Sequence, residues 1–448
     1  MGPQRAAIIL AAGRGERMKS ALPKVLHKVG GKVLVDWMAD LARDSGASRT
    51  VAVISPIPEI RAHLEKRGDV TLALQEQALG TGHAALMARS ALEGFDGDVV
   101  VLLNDTPLIR AETVRAIFNA RAGADLVLLA FDAEDPFGYG RLVVGADGNV
   151  ERIVEEKEAS EAEKKLTLCN SGVMAASAPL LFELLAQVKN DNAKGEYYIT
   201  DIVALAREAG NSVRAVSAAE AELMGMNSRV DQAKVEAAFQ ERARGAALAN
   251  GVTLMDPASV WFSHDTKLAQ DVTVEPNVFF GPGVSVESGA VIHAFSHLEG
   301  AHVGAGTNVG PFARLRPGAK LGADVKIGNF VEVKNAVFGD GAKASHLSYI
   351  GDAQIGARAN LGAGTITCNY DGFDKFTTIV GEDVFIGSDT ALIAPVKVGD
   401  RAFTAAGSVI TKDVTADALA IARGRQMEIA GWSAKFRAAK AAKKAQKT

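Results

Sequence analysis

Two cysteines among 448 residues leave no disulfide framework. Cys169 and Cys368 stand about 200 positions apart, match no metal-ligand spacing, and fit a reduced compartment. A formal net charge of −4 offers no basic surface to nucleic acid. No uninterrupted apolar run approaches the ~20 residues of a membrane span. The chain reaches an apolar stretch within a few residues of Met1, so no signal peptide is expected and the cytoplasm is the expected location. Phosphate-binding fingerprints are missing too. There is no GxxxxGK[ST] run, and Met18 occupies the place where a dinucleotide fingerprint would want its third glycine.

What is present describes a globular chain of two or three domains, 48% apolar and 23% charged. Roughly the first 225 residues mix apolar strands with helical patterns. Residues 228–249, "SRVDQAKVEAAFQERARGAALA", combine helical spacing with good helix formers, and Asn250-Gly251 supplies a stop. The helical period then disappears until the Ala- and Lys-rich ending, "GWSAKFRAAKAAKKAQKT", which reads as a solvated, partly helical tail.

Between them runs a period of six. Val274, Phe280, Val286, Ile292 and Leu298 are followed, after a shift of one, by Val303, Val309, Leu315, Leu321, Ile327 and Val333. Ile350, Ile355 and Leu361 continue it, and Val380, Ile386, Leu392 and Val398 resume it after a break. No helix keeps a period of six on one face. A flat-sided coil does, each unit a short strand plus a turn with its aliphatic side chain inward. Many of these residues precede glycine, as in Val303-Gly304 and Ile327-Gly328, which suggests turn backbone that other residues resist. Three units make a coil of about 18 residues, so region 268–410 is expected to hold about eight coils. "TITCNYDGFDK" (365–375) interrupts the period and is expected to be a loop extruded from the prism.

At the other end, "LAAGRGERM" (10–18) follows an apolar strand. Gly13 and Gly15 make a turn whose N–H groups can face phosphate oxygens, although an ordinary strand–helix turn would look the same. Arg14, Arg17 and Lys24 add positive charge nearby. Asp105 ends the strand "VVVLLNDTPL", where it is either a turn residue before Pro107 or a ligand for a hard cation. Asn227 in "MGMNSR" is equally a helix N-cap or such a ligand.

These stretches carry a resemblance. "LAAGRGERMKSALPKVL" resembles the opening loop of sugar-1-phosphate nucleotidyltransferases, and "QEQALGTGHA" (75–84), "FGYGRLV" (137–143), "IVEEK" (153–157), "NSG" (170–172) and "GEYYITD" (195–201) follow in that family's order. The hexapeptide pattern resembles the left-handed β-helix of acyltransferases, and the expected hand comes only from that resemblance. Together the two halves look like the bacterial bifunctional family that joins glucosamine-1-phosphate N-acetyltransferase to N-acetylglucosamine-1-phosphate uridyltransferase. The fold implied is an α/β Rossmann-like nucleotidyltransferase domain followed by a left-handed parallel β-helix. Expected boundaries are 1–227 for the uridyltransferase, 228–250 for a helical linker, 251–425 for the β-helix and 426–448 for the basic tail.

The resemblance implies roles residue by residue. Leu10, Ala11, Ala12 and Gly13 would hold UTP, with Arg17 and Lys24 meeting its phosphates. Gln75, Gly80 and Thr81 would read the uracil; Gly140, Glu155 and Asn170 would hold the sugar; Asp105 and Asn227 would bind Mg²⁺. In the β-helix, His346 would be the general base. Arg316, Lys334, Tyr349 and Asn360 would bind the amino-sugar phosphate, and Ala363, Asn369, Tyr370, Ser388, Ala406 and Arg423 would bind acetyl-CoA. Such prisms commonly pack as trimers with ligands between subunits, so a homotrimer is expected. An alternative keeps only uridyl transfer and makes the β-helix a trimerisation module. One departure stands out: Asn104 replaces the family's usual glycine before the aspartate, and it is expected to weaken uridyl transfer while tolerating a left-handed backbone.

Overall fold

The computed structural model describes residues 4–192 and 194–445. The chain divides into two compact units. One is formed by residues up to Ala246 with Phe262–His264, the other by Ala247–Trp261 and everything from Asp265 onward. Gln240 explains why so short a piece as Phe262–His264 counts with the first unit: its side chain donates to the Phe262 carbonyl and accepts from the Phe262 N–H, at 2.7 and 2.9 Å.

The first unit is built on one mixed sheet. Its main path runs Val213–Ser217, Leu126–Asp132, Leu168–Ser177, Asp98–Leu103, Arg5–Ala11, Arg49–Ile54 and Thr71–Leu74. Leu168–Ser177 alone runs antiparallel to its two neighbours on that path. The central strand is apolar at nearly every position because both its faces are covered. Ala6 and Ile8 enter one core, while Ala7, Ile9 and Ala11 enter the other. Val99 and Val101 separate from Val100 and Leu102 in the same way. From Arg5–Ala11 the chain adds strands on one side, then crosses to Asp98–Leu103 on the other. That reversal opens a crevice beyond the carboxyl ends of these strands, where ligands of open α/β sheets bind.

The helix Arg229–Ala249 is started by a reciprocal cap: Ser228 Oγ accepts from the Asp231 N–H, and the Asp231 carboxylate accepts from the Ser228 N–H. Ser228 is therefore the cap. Asn227 is left with its side chain for other work.

The second unit is a three-walled parallel prism. One wall stacks ten two- to four-residue strands from Thr253–Leu254 to Leu419–Ala420, eight of them within 268–410. Successive strands of this wall lie 17 or 18 residues apart through most of its length, as in Thr273, Val291, Asn308, Lys326, Lys343 and Asn360. The step from Asn360 to Phe385 is longer and contains the extruded loop. That loop is shorter than its sequence suggests. Ile366–Cys368 remains in another wall of the prism, pairing with Ala391–Ile393, and Thr365 and Thr367 are buried. All eighteen repeat residues named above, seventeen aliphatics and Phe280, point inward, none more than 3% exposed.

Gly310, after Val309, takes the expected left-handed backbone with φ of +101°, but other glycines after those residues have a different reason. Gly304, Gly322, Gly328 and Gly387 do not take positive φ. They are needed because coils stack backbone on backbone: a Cβ at Gly328 would press into the Ser345 carbonyl, and one at Gly304 into the Gly322 carbonyl. Left-handed corners are instead taken by residues such as Gly318, Asp324 and Asn335. The tail forms a helix, Trp432–Ala445, exposed along its length. No helix among the described residues is long and apolar enough to cross a membrane.

Candidate functional site

The crevice of the first unit is a cleft of about 440 Å³, lined by Leu10–Arg14, Lys24, Gln75, Gly80, Thr81, Asn104, Asp105, Glu196 and Tyr198 among others. It therefore gathers most of the nucleotide-binding residues expected from the motifs. Arg14 lines it, whereas Arg17 is exposed in the turn Glu16–Met18 with no ion pair among the described residues. Gly13 has open space where a Cβ would stand. Gly15 is fixed twice over, by φ of +66° and by the Lys24 side-chain stem against which a Cβ would clash.

Lys24 sits at the centre of the polar arrangement. Its Nζ lies 2.8 Å from Asp105 Oδ2 and 2.8 Å from Asn227 Oδ1. The Asp105 carbonyl accepts from the Met226 N–H at 2.8 Å, which ties the two ligand-bearing segments together. A carboxylate and an amide oxygen around one positive centre form a hard-cation donor set. Among the described residues no cluster of three or more His, Cys, Asp or Glu could cage a metal. The pair thus fits an ion such as Mg²⁺, which uses one or two protein oxygens and completes its shell with water and phosphate.

Gly140, Glu155 and Asn170 stand together beside a second hollow of about 330 Å³, which shares Tyr198 with the first. The Asn170 N–H donates to the Gly140 carbonyl at 2.8 Å, and a Cβ at Gly140 would lie 3.3 Å from Glu155 Oε1. Burial, reinforced by Glu158, pushes the Glu155 carboxyl above its ordinary range. Cys169 is fully buried, and burial raises its thiol, so it packs rather than reacts.

Asn104 corrects one expectation. Its backbone is not left-handed, so the turn does not depend on asparagine's tolerance of that region. Its side chain lines the cleft, is 5% exposed, and has neither Oδ1 nor Nδ2 hydrogen-bonded. An amide desolvated without partners costs about 1–3 kcal/mol, and glycine here would return the space to a ligand. Asn104→Gly is expected to raise kcat/KM for uridyl transfer about fivefold, the equivalent of ~1 kcal/mol. Equal values for the two proteins would dispose of the idea.

In the prism, His346 is exposed at the end of the strand Lys343–His346. Its Nδ1 lies 2.7 Å from Asn329 Oδ1, on the coil below. Since an amide oxygen only accepts, Nδ1 carries a proton, and in the neutral ring the lone pair is therefore on Nε2. Several residues expected to bind acetyl-CoA rise from His346 coil by coil. The His346 carbonyl accepts from Gly364, that of Ala363 from Asp389, that of Ser388 from Gly407, and that of Ala406 from Arg423 Nη1. Tyr370 lies out on the extruded loop, its hydroxyl donating to the Gly372 carbonyl.

On the adjoining wall, Arg316 pairs with Glu332 at 2.8 Å and Lys334 with Asp352 at 3.2 Å. Asp352 also accepts from Asn335 at 2.6 Å and from Asn369. Burial opposes the Asp352 charge, but these donors prevail and hold its carboxyl below the usual range. The Tyr349 ring lies over Gly351, where no Cβ would fit. Asn360 is not in this cluster; it pairs with Lys343 on the wall that bears His346. Motif reading passed over Asn329, Glu332 and Asp352. The coil length could have found two of them, because Asn329 is one coil before His346 and Asp352 one coil after Lys334.

Comparison with known proteins places both units. Residues 7–166 match the MobA-like NTP transferase domain, and residues 300–335 and 377–412 match the bacterial transferase hexapeptide repeat. The second match makes the prism a left-handed parallel β-helix of hexapeptide repeats. Curated relatives, each called bifunctional protein GlmU, align over nearly the whole chain. That of Maricaulis maris is 56% identical over 449 residues, covering 100% of this chain and 99% of its own. That of Hyphomonas neptunium is 54% identical, covering 99% and 97%. That of Paramagnetospirillum magneticum is 53% identical, covering 99% and 98%. With more than half of all residues shared end to end, the chain belongs to the bifunctional protein GlmU family.

Proposed function

We propose that the chain performs two consecutive transfers on one sugar phosphate. The prism moves the acetyl group of acetyl-CoA to glucosamine-1-phosphate, and the α/β unit couples the product to UTP, giving UDP-N-acetylglucosamine and pyrophosphate. The observation that carries this reading is the presence, on one chain, of two separately built polar sites: Lys24 between Asp105 and Asn227, and His346 with a committed Nδ1 and an open Nε2.

In the prism, the amine nitrogen attacks the thioester carbonyl and His346 Nε2 removes the amine proton. The new C–N bond replaces C–S, and coenzyme A leaves as the thiol. Arg316 and Lys334 neutralise the sugar phosphate. Arg423, next to Ala406, offers a charge-assisted contact to a coenzyme phosphate. In the cleft, a sugar-phosphate oxygen attacks the α-phosphorus of UTP and pyrophosphate departs. Both reactants are anions, so the work is positioning and charge compensation. Lys24, Arg14 and the Gly13 loop supply these. Asp105 and Asn227 would hold Mg²⁺, which when bound offsets phosphate charge.

A homotrimer completes the proposal. Along one corner of the prism, between the His346 wall and the Lys334 wall, Phe295, Phe312 and Phe330 stack at 5.0 and 5.2 Å between centroids, and Leu347 continues the line. All four are more than 45% exposed, a ladder suited to burial against another copy. The partners are small molecules rather than nucleic acid or membrane, and two free thiols suit a cytoplasmic setting. A trimerisation module alone would have no use for the Lys334–Asp352–Asn369 cluster.

The test supplies glucosamine-1-phosphate, acetyl-CoA, UTP and Mg²⁺ together, then follows free thiol and pyrophosphate separately. Both products are expected. Pyrophosphate only when N-acetylglucosamine-1-phosphate is supplied, with no thiol, would favour the single-activity alternative.

A further inference from the structure

Gln75, at the end of the strand Thr71–Leu74, is held by its backbone N–H to the Ile54 carbonyl at 2.9 Å and is only 5% exposed. Its side-chain Nε2 lies 3.1 Å from the Gly80 carbonyl and 2.9 Å from His83 Nδ1. An amide nitrogen brings two hydrogens and no lone pair, so both N–H bonds are used inside the protein. His83 Nδ1 must then be the unprotonated ring nitrogen. Gln75 Oε1 has no hydrogen bond among the described residues and belongs to a side chain that lines the cleft. The amide shows the cleft an acceptor. His83 itself is steadied by the helix Thr81–Met87 and by the Tyr197 ring, tilted at 6.2 Å.

We infer that His83 is a positioning residue for nucleobase choice: its Nδ1 fixes the Gln75 amide with the carbonyl outward. The inference rests on the proposed UTP reaction and deepens it. Uracil carries an N–H at N3, which this carbonyl accepts. Cytosine carries a lone pair there, which it repels. Turning the amide over would invert that preference, but it would also aim Oε1 at both His83 Nδ1 and the Gly80 carbonyl. With His83 removed, only Gly80 opposes the turn. Selection of base thus depends on a residue that need not touch the base.

The test compares UTP with CTP in pyrophosphate release for the full-length protein, His83→Phe and His83→Asn. The parent is expected to prefer UTP. In His83→Phe, which keeps a ring against Tyr197 but has no acceptor, the UTP/CTP ratio of kcat/KM should fall about tenfold. The fall should lie mainly in KM for UTP, with kcat little changed. His83→Asn, whose Oδ1 can stand near the former Nδ1, should keep the ratio within about threefold of the parent's. His83→Ala carries the same expectation as phenylalanine if the larger residue is not accommodated. An unchanged ratio in the acceptor-less variants, or equal losses for both nucleotides, overturns the inference. So does a parent indifferent to the base. Equilibrium binding of UTP and CTP, measured alongside, keeps the two claims apart. His83-dependent preference in binding without any pyrophosphate release would contradict the proposed function and leave this inference standing.

Discussion

Replacing His346 with alanine is expected to cut thiol release from acetyl-CoA by about 10²–10⁴-fold while pyrophosphate release continues at the parental rate. The expectation follows from how the imidazole is held. Asn329 Oδ1 accepts a hydrogen bond from Nδ1–H at 2.7 Å, which fixes the tautomer and leaves Nε2 as the basic nitrogen of the neutral ring. An imidazole nitrogen with a free lone pair then suits removal of a proton from an attacking amine. Loss of a base lowers kcat, so the variant should leave KM for the sugar phosphate close to the parent's. Lys334→Ala, in contrast, should act chiefly on that KM. Thioester consumption by His346→Ala at the parental rate would remove His346 from the chemistry.

The second large effect is expected at Asp105. Asp105→Asn should lower pyrophosphate release about 10²–10³-fold and leave acetyl transfer unchanged. Asparagine keeps an oxygen near Asn227 and Lys24 but not the negative charge, and it is the charge that favours a divalent ion over water. The loss should be partly recovered at high Mg²⁺, and chelation of the parent should mimic it for pyrophosphate but not for thiol. A variant as active as the parent at every Mg²⁺ concentration would show that Asp105 is only the turn residue its neighbour Pro107 suggests.

Much of this was legible before any coordinates. The period of six marks most of the inward residues from Val274 to Val398, because a prism wall repeats the same environment at a fixed interval and an apolar side chain fills it; Phe338, Ala344 and Thr367 point inward without having been marked. The stretch "VVVLLNDTPL" reads as a strand that ends at Asp105, and the structure adds that both its faces are covered. Roles within the sites were less legible. "MGMNSR" permits Asn227 or Ser228 as the helix cap, and the choice falls to Ser228 only when Asp231 turns back onto it. The glycines of the repeat look like turn formers, yet Gly304 and Gly328 serve close approach between coils, a demand made by residues one coil away. Asn104 was visible as a departure, but that both ends of its amide lack partners is a fact about its surroundings.

The amino-acid order by itself determined the coiled prism, most of its inward face and the identity of the chemical groups, since local periodicity and residue type are properties of the chain; the α/β fold and the hand of the prism were expected from resemblance. Tertiary structure decided which of those groups meet. Lys24, Asp105 and Asn227 lie far apart in sequence and are joined by the sheet's reversal; His346 and Asn329 are joined by one turn of the prism. Hydrogen bonds form over about 3 Å, and no local pattern encodes a distance between remote segments. Only the folded chain sets that distance, and with it the tautomer, the meeting of Asp105 with Asn227 and the direction in which Gln75 presents its oxygen.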